Sequence, residues 1–201
     1  MYKVVLKSVL DFIIAFIAGL LLLPVFIIIA VSIKIESKGP VFFKQLRVGL
    51  NGKEFYMYKF RSMVTDQSRF KKVKELHHDD PRITGVGRFI RKTSLDEVPQ
   101  IINILRGEMS FIGPRPPLPY FPKKFHEYNE FEKQRFSVKP GISGLAQIRC
   151  REIHDWDINI PIDIEYINNY SFLYDAKLFL LSLLAFFKTE NVYSNNKMQV
   201  K

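Results

Sequence analysis

The chain has 201 residues, a formal net charge of +10 and one cysteine, with 14% aromatic and 47% hydrophobic residues. That length suits one domain plus a membrane element, and a lone Cys150, read as a buried or neutral thiol, excludes an internal disulfide. The basic balance suits anionic lipid, phosphorylated ligands or nucleic acid, and 18 phenylalanines favour a membrane interface over nucleic acid.

The uncharged run from Phe12 to Ile33 makes a helix about 33 Å long, enough to cross a hydrocarbon core of roughly 30 Å. Hydropathy alone reads as an ordinary single span. Two features point instead to a helix that dips in and returns. Pro24, mid-run, removes a backbone hydrogen bond and kinks the helix. Lys3 and Lys7 precede the run and Lys34 and Lys38 follow it, and positive charge marks the cytoplasmic side. Asp11 discourages deep insertion of the first turn. Residues 1–38 are therefore expected to form a re-entrant helix–break–helix, and residues 39–201 a cytoplasmic domain with interfacial helices. No small-residue cleavage site follows the run, so it does not read as a removable signal peptide.

Val41–Val48 and Glu54–Arg61 read as strands joined at Asn51-Gly52, a strong hairpin signal. Alternation puts Phe55, Met57, Lys59 and Arg61 on one face. Two cations leaving that face could serve an anion, or simply form a solvated edge. Residues 64–80 are polar, with a short helix expected around Phe70 to Leu76. His77-His78-Asp79-Asp80 invites a metal site, but adjacent residues point apart on any regular element and ligand spacing is lacking. Gly85–Lys92 reads as a short helix with Arg88, Arg91 and Lys92 on one face; of these Arg88 is the first candidate for substrate phosphate, lipid headgroups being the other reading.

Thr93–Pro117 carries the densest chemistry. Thr93-Ser94 is a helix-start signal, followed by adjacent acids Asp96 and Glu97, then by Ile101, Ile102, Ile104 and Leu105 with Gly107 as the stop. Ser94-x-x-Glu97 also fits a capping box, while Pro99 is better placed if the helix starts nearer Asp96; the N-cap stays open. Acids at a positive helix end, beside the rigidly held Arg115 of Gly113-Pro114-Arg115-Pro116-Pro117, suit a metal-bound phosphate.

Leu118–Phe136 mixes aromatics with lysines and reads either as a helix in the headgroup plane or as a core helix. Gly141 and Gly144 mark a turn or a close approach. Asp155, Asp157 and Asp163 gather around Trp156, and support of the basic residues is their expected role. Lys177–Lys188 is a further apolar helix, too short to span. The whole reads as a mostly helical α+β domain.

Several ordered blocks resemble one family: GPVFFKQLRVGLNGKEFYMYKFRSM, DPRITGVGRFIRKTSLDEVPQ, SFIGPRPP, KPGISGLAQI and DIEYINNYSFLYDAKLF. The chain resembles the bacterial sugar transferases, the monotopic phosphoglycosyl transferases, and within them the short members that start protein glycosylation with diacetylbacillosamine phosphate. The resemblance implies transfer of a sugar 1-phosphate from a UDP-sugar to undecaprenyl phosphate at the cytoplasmic face of the bacterial inner membrane, with a re-entrant helix and release of UMP. It implies a two-step course with Asp96 as nucleophile. Glu97, with or without Asp96, would hold Mg²⁺. Lys59, Arg88 and Arg115, and less firmly Arg61, would neutralise phosphate oxygens.

Two other functions compete. A membrane-tethered nucleic-acid-binding protein would use the +10 charge, but no reading motif supports it. A phosphohydrolase would use the same acids with water, which needs an activating base, whereas a polyprenyl phosphate is already an anion. The sugar and the oligomeric state cannot be read from the chain.

Overall fold

Helix α1 spans Lys7–Glu36, and its 30 residues make it about 45 Å long. The computed structural model describes residues 5–65, 80–150 and 155–187; the helix expected near Phe70–Leu76, the His77-His78-Asp79 stretch, Lys3, Lys188 and the tail after Thr189 lie outside the described residues. Asp11, Ala15, Ala18, Leu22, Val25, Ile29 and Ile33, at three- and four-residue intervals, form the stripe of α1 that meets the domain. Much of the rest of the helix is apolar and exposed, including Phe12, Phe16, Leu20, Leu21, Ile27, Ile28 and Ile35. Helical structure continues across Pro24, where the sequence led us to expect a break. Proline forfeits one i→i−4 bond and crowds a carbonyl, which bends a helix. Leu22 packs on one core cluster, and Val25 and Phe26 on the next, so both flanking turns are held.

Both ends of α1 are tied to the same domain. Lys7 Nζ donates to Asp175 Oδ2 at 2.6 Å. At the other end Glu36 accepts from the Gly85 and Val86 amides at 2.6 and 3.0 Å, supplying the orphan donors of the next helix. The carbonyls at and just past the end of α1 are met by Arg61, which donates to Ile33 O at 3.2 Å, Ser37 O at 2.7 Å and Lys38 O at 2.8 Å.

Strands β1 (Phe42–Val48) and β2 (Glu54–Phe60) form the expected antiparallel hairpin, Val48 opposite Glu54 and Phe43 opposite Lys59. Asn51 and Gly52 take positive φ in its turn, 54° and 77°, as Asn-Gly does at low cost. Phe55 and Met57 bury against Ile101, Ile104 and Ala15. Buried Asn103 bonds the far edge of β2, accepting from Tyr58 N at 3.0 Å and donating to Tyr56 O at 2.7 Å.

Helix α2 is Gly85–Lys92, as expected, with Thr84 accepting from the Gly87 amide. Thr93 Oγ1 closes it by donating to Phe89 O at 2.9 Å, and Ser94 turns left-handed at φ 51°. Thr93-Ser94 thus ends one helix before the next begins. A 3₁₀ segment, Leu95–Gln100, carries the two acids and leads into α3, Ile101–Leu105; Gly107, at φ 73°, follows as the stop.

Strand β3 (Ser110–Ile112) pairs in parallel with β4 (Gly141–Ser143). The glycines there serve chain against chain: a Cβ on Gly141 would lie 2.2 Å from Gly113 N, and one on Gly144 2.2 Å from Gly113 O. Between them, Leu118–Phe136 is not the helix expected. It holds two 3₁₀ turns and the four-residue α4, Glu130–Lys133. Pro119 and Pro122 lack amide donors and hold the residues before them extended. Helices α5 (Leu145–Arg149), α6 (Trp156–Asn169) and α7 (Phe172–Phe187) complete the fold. Leu178 of α7 packs with Ile112, Leu145, Tyr166 and Tyr170, while Leu173, Leu180 and Leu184 are exposed. Cys150, half-buried, follows α5.

Candidate active site

A shallow cleft lies where the hairpin, the 3₁₀ segment and the Gly113–Pro117 loop meet. Lys59, Glu97, Arg115, Arg47 and Gln100 line it, over Met57 and Ile142. Alternation on β2 sends Lys59 to the same face as Phe55 and Met57, and that face packs on the segment bearing the acids. Lys59 Nζ donates to Glu97 Oε1 at 2.6 Å. Ser94 makes no side-chain cap, so Glu97 serves the cleft and not a capping box.

The two acids differ in their surroundings. Burial pushes the Asp96 carboxyl up to about 6, with Glu97 adding to the rise and Lys59 and Arg91 opposing it. Burial works against Glu97 as well, but Lys59, by charge and hydrogen bond, with Arg115 and Gln100, holds it below the usual carboxylate range. Both acids are therefore chiefly anionic at neutral pH. An anionic oxygen acted on by the charges of Lys59 and Arg91 has the chemistry of a nucleophile, and the cations around the pair suit phosphate.

The structure brings Glu97, Lys59 and Arg115 together in the cleft; Asp96, next to Glu97, is not among the residues that line it but feels the charges of Lys59 and Arg91. Arg88 and Arg61 are placed elsewhere. Arg88 is exposed and does not line the cleft. One helical turn further on, Arg91 is the α2 residue whose charge reaches Asp96, with its Nε on Ser62 Oγ at 2.9 Å. Arg61 is buried under the end of α1, since β2 stops at Phe60. Asp80, last residue of the His77–Asp80 run, is buried and ion-paired with Arg82, and no group of three His, Cys, Asp or Glu that could hold a metal occurs among the described residues.

Arg47 was not among the expected site residues. Its guanidinium donates to Pro116 O at 2.9 Å and to Gln45 Oε1 at 2.7 Å. Burial and the neighbouring Arg115 lower it to about 10, with Glu97 and Tyr120 pulling the other way. The signal was present: in the hairpin register positions 43, 45 and 47 share the face of 55, 57 and 59.

The acids near Trp156 act behind the Arg115 loop. Asp163 Oδ2 accepts from Arg135 Nη2 at 2.7 Å, and the same nitrogen donates to the carbonyl of Arg115 at 2.9 Å. The Arg135 guanidinium lies over Trp156 at 4.8 Å. Asp155 caps α6 by accepting from the Asp157 amide, and Tyr166 donates to Asp175 Oδ1 at 2.7 Å.

Adjacent carboxylates among lysine and arginine side chains suit phosphorylated ligands, and the domain carries a long apolar helix. The chain belongs to the bacterial sugar transferase family, whose model it matches over residues 2–189. It is 44% identical to the galactosyl transferase CpsE of Streptococcus agalactiae, across 83% of this chain and 39% of that protein. It is 39% identical to the UDP-glucose:undecaprenyl-phosphate glucose-1-phosphate transferase of Xanthomonas campestris, across 96% of this chain and 41% of that protein. With an uncharacterized sugar transferase of Bacillus subtilis, EpsL, identity is 44%, across 85% and 81%. The chain thus spans about two fifths of the length of the first two relatives.

Proposed function

We propose that this protein transfers a sugar 1-phosphate from a UDP-sugar to undecaprenyl phosphate at the cytoplasmic face of the bacterial inner membrane, the first membrane step in assembling a glycoconjugate. The observation that carries the reading is the adjacent acid pair at the cleft: Glu97 lines it bonded to Lys59, and the charges of Lys59 and Arg91 act on the neighbouring Asp96 carboxylate. In the first step an Asp96 oxygen attacks the phosphorus attached to the sugar, and the bond to the nucleotide phosphate breaks. UMP leaves as a dianion, and the phosphosugar stays on Asp96. In the second step a phosphate oxygen of undecaprenyl phosphate attacks the same phosphorus, the bond to Asp96 breaks, and the carboxylate is restored. Neither step needs a net proton, so no general base is called for. Lys59, Arg91 and Arg115 meet the charge on the phosphoryl oxygens.

Asp96 and Glu97 suit Mg²⁺, which binds through one or two carboxylates with substrate phosphates supplying further oxygens. A bound Mg²⁺ supplies charge neutralisation at the diphosphate. Glu97 holds its carboxylate in place through Lys59 and Gln100.

The membrane reading rests on α1. A perpendicular span would carry one end of the helix away from the domain, yet Lys7 and Glu36 are both bonded to it. With the stripe between them packed on the domain and the opposite side apolar, α1 enters and leaves one leaflet, bending at Pro24, and the chain is monotopic. A cysteine placed at residue 1 and labelled only from the outer side would overturn this.

Donor sugars include those of the relatives as well as diacetylbacillosamine, whose transfer would place the protein in protein glycosylation; a panel of UDP-sugars selects among them. The deciding experiment uses donor alone. Wild type should release one UMP and gain the mass of one phosphosugar on Asp96, and Asp96→Asn should do neither. UMP formed only when acceptor is present, with no adduct in rapid-quench mass spectra, would replace the two steps by direct transfer. Continuous UMP release without acceptor would indicate hydrolysis.

A further inference from the structure

Arg115 is the one exposed residue of a buried stretch: Gly113, Pro114, Pro116 and Pro117 around it are all buried. The three prolines fix φ at their own positions and hold the residues before them extended. They carry no amide donors, so this stretch is tied to the domain chiefly through its carbonyls. Every carbonyl of residues 114–117 is bonded. Pro114 O accepts from Gly141 N at 3.0 Å and Pro117 O from Val48 N at 3.0 Å. The two between them accept from guanidinium groups, Arg115 O from Arg135 Nη2 and Pro116 O from Arg47 Nη1, both at 2.9 Å.

The two guanidinium groups come from different elements, β1 and the 3₁₀ turn Gln134–Phe136, and each is itself braced. Asp163 accepts from the Arg135 nitrogen that holds Arg115 O. Gln45 accepts from Arg47 Nη2 at 2.7 Å, and Arg47 Nε is buried. Charge-assisted bonds are the stronger kind, and here two of them fix consecutive peptide units at the point where the Arg115 side chain leaves the chain. A backbone ordered before the ligand arrives takes an ordering cost out of binding. It also keeps the guanidinium aimed at the cleft that Arg115 lines with Lys59 and Glu97.

We propose that Arg47 is a positioning residue, which acts on the donor diphosphate through Arg115 by holding the Pro116 carbonyl and is not itself a phosphate ligand. This rests on the transferase reading above and gives a task to an arginine that the reading leaves out. It also explains why Arg47 stands on β1. Lys59 is carried by β2, the partner of β1 in the hairpin, so the hairpin that supplies one cation of the cleft also sets the place of the other.

The test uses the full chain in lipid nanodiscs, with two readouts. Hydrogen exchange without ligand, followed on peptides covering residues 110–118, should be faster in Arg47→Gln than in wild type, because local opening sets that rate. Unchanged exchange overturns the proposal. Calorimetric binding of UDP, the part common to UDP-sugar donors, should weaken about ten- to a hundredfold in Arg47→Gln, the scale of a group displaced by an ångström. In an Arg115→Gln background the same change should cost less than about twofold, since no guanidinium is left to position. The fall in melting temperature should persist there, because the Pro116 carbonyl remains. An undiminished loss of UDP binding in that background would make Arg47 a ligand and overturns the proposal. Should Arg47→Gln not fold, Gln45→Leu frees one end of the Arg47 guanidinium. It should weaken UDP about two- to tenfold, the worth of one hydrogen bond, and again only with Arg115 present; no loss, or a loss without Arg115, overturns the proposal equally. Absence of UDP binding in Arg115→Gln leaves exchange as the deciding readout, and absence in wild type also removes the transferase reading.

Discussion

Lys59 and Glu97 meet at 2.6 Å across the join between the hairpin and the 3₁₀ segment, and the same ammonium opposes the rise in the Asp96 pKa. One cation thus tunes both acids. With Asp96 at about 6, transfer should fall as pH drops through that value, because protonation removes the nucleophile. Lys59→Met withdraws the main force pulling Asp96 down, so the acid limb of the pH–rate profile should move to higher pH. An unmoved limb would detach the limb from Asp96.

The same shift has a sign for stability. A carboxyl whose folded pKa lies above its unfolded value of 3.8 binds protons more readily in the folded state, so stability is lost as pH rises from about 4 through about 6. Asp96→Asn removes that cost. Its melting temperature at pH 7 should equal or exceed that of wild type by a few degrees, of the order expected for 1 kcal/mol, and the gain should vanish near pH 4, while the proposed mechanism expects the variant to be inactive.

Arg91 and Arg88 sit on one short helix and should respond differently. Arg91→Gln removes a charge beside Asp96 and should lower kcat by roughly 10²-fold or more, the scale for losing one transition-state charge contact. Arg88→Gln, at an exposed position outside the cleft, should change kcat less than tenfold. Steady-state kinetics on the two variants checks the ordering.

Arg61 is expected to act on the fold. It closes the end of α1 through the carbonyls of Ser37 and Lys38, and charge-assisted bonds of this kind are worth about 1.5–3 kcal/mol each. Arg61→Gln should therefore lower the melting temperature while leaving the donor KM close to wild type at temperatures where it stays folded. A donor KM raised tenfold with unchanged melting would return Arg61 to the phosphate site.

Asp163→Asn leaves Arg135 buried and short of its counter-charge, a change that costs about 3–5 kcal/mol in buried pairs. Because Arg135 also holds the Arg115 carbonyl, thermal unfolding should show lower stability, and activity should fall through a raised donor KM. Chelation is the last check: EDTA should abolish turnover and added Mg²⁺ should restore it, whereas full activity in EDTA would remove the metal from the site.

The sequence by itself determined the features that depend on neighbours along the chain. Asn51-Gly52 set the hairpin and its register because few residues take positive φ cheaply, and α2 was legible as a short helix over Gly85–Lys92. Gly107 marked the end of α3, and the run from Phe12 to Ile33 was long and apolar enough for a membrane whatever packs on it. The pairing of Asp96 with Glu97 was visible in the letters. Leu118–Phe136 departs from the helix that its aromatic and lysine pattern suggests for a local reason, since Pro119 and Pro122 lack the amide donors a helix needs.

Only the tertiary structure decided which cations reach those acids. Arg88 and Arg91, three residues apart, lie about 60° apart on one helix face, so only docking tells them apart: Arg88 is exposed, while Arg91 bonds Ser62 and its charge acts on Asp96. Strand alternation places Lys59 and Arg61 on one face, but the strand ends between them, and the carbonyls of α1 claim Arg61 from far away in sequence. Arg47 joins Arg115 only because β1 folds beside the Gly113–Pro117 loop. Side-chain bonds between distant segments depend on how rigid elements settle against a shared core, and that packing is set by the whole apolar pattern at once.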